Sequence, residues 1–138
     1  MKPVHRDREM IEHILRYCQE IDQAVERFGN DRDIFLSDAV YRNAVSMPVQ
    51  QIGELAKHLS DGFLAEHTEI PWKQIKGMRT WFAHQYLDMD ITVIWDVLHD
   101  GIPPLKQFCE RYKADDKAPG RLPEESLQAG FGFSRYQC

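Results

Sequence analysis

Long apolar runs are missing from this 138-residue chain. No stretch approaches the roughly 18 consecutive apolar residues that a membrane-spanning helix needs. The opening MKPVHRDREM is charged from its second residue and has no apolar segment, so no secretory signal is expected and the reading is cytoplasmic. Cysteine is scarce: Cys18, Cys109 and Cys138 are scattered, odd in number and without CxxC spacing. That pattern argues for reduced thiols and against a disulfide scaffold or a zinc ribbon. Segments alternating with period two are also lacking, which leaves no candidate sheet. The net charge is −5, so the surface as a whole is not the footprint of a nucleic-acid binder, and such a role requires a local basic patch.

Several chemistries lack their residues. The chain has six histidines, but none forms HExxH, and none has carboxylates or thiolates at chelating spacing, so no metal site and no cofactor are expected. No glycine-rich phosphate loop and no GxSxG elbow occur. Cys18 and Cys109 fall on apolar helical stripes, the usual place of inert core thiols.

What is present is helical periodicity. From Asp7 to Phe28 apolar residues recur at Ile11, Ile14, Cys18, Ile21 and Val25, and Gly29-Asn30 ends the pattern. A second helix is predicted over residues 34–59, with Phe35, Val40, Ala44, Met47, Ile52, Leu55, Ala56 and Leu59 facing inward and a kink before Pro48. Residues 63–67 suit a short turn of helix. Pro71 suits the first position of a helix running to about Leu87. Asp90 is a candidate cap for residues 91–99, and Gly101 with Pro103-Pro104 marks a break before a last helix through Tyr112. The predicted fold is all-α, an up-and-down bundle of four to five helices over residues 1–113. Residues 114–138 are rich in glycine, proline and charge and read as a flexible tail, or as one docked through Phe131, Phe133 and Tyr136.

One segment reverses the local charge. Between Trp72 and Leu87 the chain carries Lys73, Lys76 and Arg79 and no acid. On a helix, Arg79 and His84 are about 140° apart, a gap that arginine's length or an opposing copy of the helix can close. Gly77 leaves room on the His84 stripe for a close approach by backbone or ligand. An imidazole can take a proton from a 2′-hydroxyl near neutral pH, and a guanidinium can clamp a phosphate and stabilise its developing charge. These are the parts of a metal-independent RNA-cleaving site. Spacing alone equally allows a histidine satisfied by a backbone carbonyl and an arginine paired with a buried glutamate. Glu54, one turn before His58, is read either as a solvated residue or as a partner that orients Arg79 or His84.

From Ile52 to Cys109 the sequence IGELAKHL…IPWKQIKGMRTWFAHQYLDMDITVIWDVLHDGIPPLKQFC resembles the HepT-like proteins of the HEPN superfamily. Arg79, His84 and Tyr86 fit that family's RxxxxHxY motif, while Thr80 stands where an amide-like residue is usual. The resemblance implies a toxin ribonuclease that acts as a homodimer, with Arg79 and His84 catalytic and two motifs meeting in an interface cleft. It also implies an MNT-type nucleotidyltransferase antitoxin that attaches AMP to Tyr86. Lys73, Lys76, Thr80 and Glu54 are then candidates for RNA contact or for support of the pair. The alternative is a non-catalytic helical binding or scaffold module.

Overall fold

The computed structural model describes residues 3–84 and 91–117, with side chains over 6–79 and 91–115. Every regular element among them is helical. Four long helices form the bundle: α1 (Pro3–Phe28), α3 (Ala39–Ala56), α5 (Trp72–His84) and α7 (Ile102–Lys117). Three short ones connect them: α2 (Arg32–Ser37), α4 (Asp61–Glu66) and α6 (Ile91–Asp96), the last passing through a π turn (Val97–Gly101) into α7. The last helix thus continues past Lys113.

Helix α1 is fixed at its start to the turn that follows α3 and at its finish to the first turn of α3. At its start, the buried Asp7 carboxylate accepts from the Ser60 backbone N–H (2.8 Å) and the Ser60 hydroxyl (2.6 Å). At its finish, Gly29 adopts φ +114°, a conformation costly for other residues, and its carbonyl accepts from the Tyr41 hydroxyl (3.0 Å). The start of one helix therefore meets the end of the other, and the pair is antiparallel. The Lys106–Asp22 ion pair between α7 and α1 lies one helical turn from buried Cys109 and Cys18 in an antiparallel register. Asp7→Ala leaves the half-buried Ser60 N–H and hydroxyl without their acceptor, so it should cost about 1–3 kcal/mol, read as a lowered denaturation midpoint.

The core is continuous through Ile11, Ile14, Cys18, Phe35, Tyr41, Val45, Val49, Ile52, Ile94, Leu105 and Phe108. Burial raises the thiol pKa values of both Cys18 and Cys109, which keeps them protonated and inert at neutral pH.

Two expectations from sequence are corrected. The helix predicted over 34–59 is broken at Asp38, whose side chain accepts from the Val40 and Tyr41 N–H groups and so starts α3 afresh. Arg42 closes α2 from the other side, donating through Nη1 to the Phe35 and Leu36 carbonyls at 3.0 and 2.6 Å. The break resets the helical phase. Tyr41, Val45 and Val49 turn inward, while Val40 and Met47, expected in the core, are 63% and 57% exposed. Pro48 is buried within α3, which runs unbroken past it. The break expected at Gly101 and Pro103-Pro104 is absent as well. The Ile102 N–H bonds to the Val97 carbonyl, an i→i−5 bond, and this wide turn precedes the two residues that have no N–H to give.

Candidate active site

Helix α5 begins where Trp72 is anchored, its indole Nε1–H donating to the His67 carbonyl at 2.8 Å. The Trp72 ring packs against Phe63 and Phe108. Ile75 and Met78 complete the buried stripe. This phase turns Lys73 and Arg79 outward and leaves Lys76 half-buried.

The depth of α5 against α3 is set by Gly53. A Cβ there would lie 2.7 Å from the Arg79 nitrogen and 2.9 Å from the Ile75 oxygen, closer than real contacts allow. The two backbones touch at Arg79 itself. Gly77, where a close approach was expected, meets no such neighbour: a Cβ there would have nothing within 4 Å. The close approach belongs to the glycine on the facing helix.

Next to Gly53, Glu54 reaches across to α5. Its Oε1 lies 3.5 Å from Arg79 Nη1, and its Oε2 lies 3.5 Å from His58 Nε2 and 3.7 Å from Lys57 Nζ. Arg79 and Glu54 are 42% and 41% exposed, so the pair adds at most about 1 kcal/mol to stability. Its 3.5 Å separation is also looser than a charge-assisted hydrogen bond. The pairing biases where the guanidinium points and adds little to the stability of the fold. A guanidinium has five N–H donors, and one carboxylate oxygen at this distance leaves most of them available to a phosphate.

His84 closes the described part of α5, five residues after Arg79 and about 7.5 Å further along the axis. The side chains of Thr80 and His84, and Tyr86 altogether, lie outside the described residues, as do Asp90 and residues 118–138. Neither Gly53 nor His58 was assigned a role from sequence. Glycine inside an apolar helical run was the available signal for the first; for the second it was only that His58 follows Glu54 by one turn. Among the described residues no group of three or more His, Cys, Asp or Glu side chains is placed to hold a metal ion.

With this geometry in hand, comparison with known proteins is informative. The family model for HepT-like proteins, described as Ribonuclease HepT-like, matches residues 14–112. The chain belongs to the HepT-like ribonuclease family. The matched span takes in most of α1, all of α3 and α5, and α7 as far as Tyr112. Relatives extend over similar lengths. A candidate RNase of Caldanaerobacter subterraneus subsp. tengcongensis is 33% identical over 100 residues, covering 72% of this chain and 88% of that protein. A protein named as a probable ribonuclease HepT in Thermococcus cleftensis is 31% identical over 118 residues, covering 82% of this chain and 99% of its own length. No solved structure matches the chain. Among the described residues no helix is long and apolar enough to cross a membrane.

Proposed function

We propose that this HepT-like protein is a metal-independent endoribonuclease and the toxin of a HepT/MNT-type pair. The observation that carries the reading is the solvent-facing Arg79 guanidinium, fixed by Glu54 and followed on the same helix by His84. In the reaction, the His84 imidazole takes the proton from the RNA 2′-hydroxyl, and the 2′-oxygen bonds to phosphorus. The phosphorus–5′-oxygen bond then breaks, leaving a 2′,3′-cyclic phosphate and a 5′-hydroxyl. Arg79 binds the non-bridging oxygens while their charge builds. Glu54 orients the guanidinium, and Lys73, Lys76 and Thr80 line the approach of the strand.

The working unit in this reading is a homodimer. Val40 and Met47 are exposed on α3, Ala44 between them is exposed too, and Glu54 follows Met47 by seven residues on the same stripe. A second copy covering Val40 and Met47 brings two Arg79–His84 pairs together across one cleft. A cognate nucleotidyltransferase attaches AMP to Tyr86, two residues beyond His84, and the added phosphate repels RNA and blocks the cleft.

The purified chain, incubated with RNA in excess EDTA, is expected to elute as a dimer and to release fragments with cyclic phosphate ends. Co-expression with a cognate MNT-type nucleotidyltransferase should add the mass of one or more AMP units to the peptide holding Tyr86 and suppress cleavage. A dimer that binds RNA without cutting it would instead establish the helical binding module.

A further inference from the structure

Cleavage of RNA by its own 2′-hydroxyl moves two protons. One leaves the 2′-oxygen, and one must reach the 5′-oxygen, because an alkoxide is a poor leaving group near neutral pH. The Arg79–His84 motif contains a single imidazole for these two transfers. The structure places a second one close to Arg79. His58 Nε2 lies 3.5 Å from Glu54 Oε2, while Oε1 of the same carboxylate lies 3.5 Å from Arg79 Nη1. One carboxyl group therefore separates this imidazole from the guanidinium that would hold the phosphate.

The surroundings suit a proton donor. A carboxylate 3.5 Å from Nε2 favours a hydrogen on that nitrogen and leaves the Nδ1 edge as the one that exchanges a proton with its surroundings. No partner for Nδ1 is found among the described residues, and the His58 side chain is 48% exposed, within reach of a polymer. The charged groups around it are Glu54 and Lys57 from α3 and Arg79 from α5. Asp7 of α1, two residues from His58 through Ser60, is engaged by Ser60.

Building on the ribonuclease reading, we propose that His58 is the general acid of the reaction. Its Nδ1 proton passes to the 5′-oxygen as the phosphorus–oxygen bond breaks, and His58 is left neutral with Nε2–H still on Glu54. His84 holds the proton taken from the 2′-oxygen. Solvent exchange returns both imidazoles to their starting states, so protons and electrons balance with no further reagent.

The test compares two RNA substrates, one with the natural 5′-oxygen at the scissile linkage and one with a bridging sulfur there. A thiolate leaves without a proton. His58→Ala and His58→Gln should slow cleavage of the oxygen linkage by about 10²–10⁴-fold, the usual contribution of general acid catalysis, and leave the sulfur linkage near the wild-type rate. His84→Ala should lose both. Equal losses on the two substrates would make His58 a structural support for Arg79 and overturn the proposal. Unchanged cleavage of both by the His58 variants would overturn it too. Wild-type protein that cuts neither substrate would defeat the ribonuclease reading itself, an outcome distinct from the other two.

Discussion

His84→Ala is expected to abolish detectable RNA cleavage while the protein remains folded. In the proposed mechanism, removing the imidazole deletes the group that accepts the 2′-proton, and such groups contribute about 10²–10⁴-fold. Arg79→Ala should be comparably damaging for a different reason. It removes the donors that meet charge as it grows on the phosphate, a loss typically of about 10²–10³-fold. Arg79→Lys is the informative intermediate. It keeps the charge but not the planar fork, so it should retain binding to RNA and recover little of the rate. Arg79 is half-exposed and its ion pair contributes little to stability, so its variants should melt close to wild type. Circular dichroism and size-exclusion chromatography check the fold, and quantified fragments with cyclic phosphate ends check the chemistry. Undiminished cleavage by His84→Ala would remove that residue from the mechanism.

The second large effect is expected at Gly53, a position with no chemistry of its own. Gly53→Ala gains helix propensity worth about 1 kcal/mol. It also drives a methyl group to within 2.7 Å of one α5 backbone atom and 2.9 Å of another. Neither is the end of a flexible side chain, so the helices must separate. Overpacking of this kind costs about 1–3 kcal/mol, and Gly53→Val should cost more. The separation also carries Arg79 away from Glu54, so cleavage should fall at temperatures where the variant is still fully folded. Gly62→Ala is the control: a Cβ there meets nothing within 4 Å, and neither stability nor cleavage should drop. A Gly53→Ala protein as stable and active as wild type would show that the contact between α3 and α5 is softer than its geometry implies.

The legible parts of the sequence were those written as repeats. The stripe of α1 and its glycine stop recur many times over or involve residues with few uses, and the structure reproduces both. The phase of α3 was misread because a single side chain, Asp38, sets it, and one aspartate in a polar stretch carries little periodic signal. Once the helix restarts there, Val40 and Met47 move outside and Tyr41 moves in. Pro103-Pro104 was read as a break because proline is counted against an ordinary α turn, and a π turn removes the objection. At the site, Arg79 and Glu54 were each identified from the chain. That they face each other follows from Gly53, and a contact between two helices leaves no trace in either helix's own pattern.

The π turn between α6 and α7 also bears on how the chain tolerates a change of length. An i→i−5 turn holds one residue more than an α turn over the same span. Ile94 before it, Leu98 within it, and Ile102 and Leu105 after it nonetheless stay in register with one core. Deleting a residue from an ordinary α turn rotates everything beyond it by about 100°. Deleting one between residues 97 and 101 would instead return the turn to the α form and leave both flanks pointing as they do now, provided the proline pair were lost with it. This joint is where the chain should absorb the loss of one residue without turning either flank away from the core.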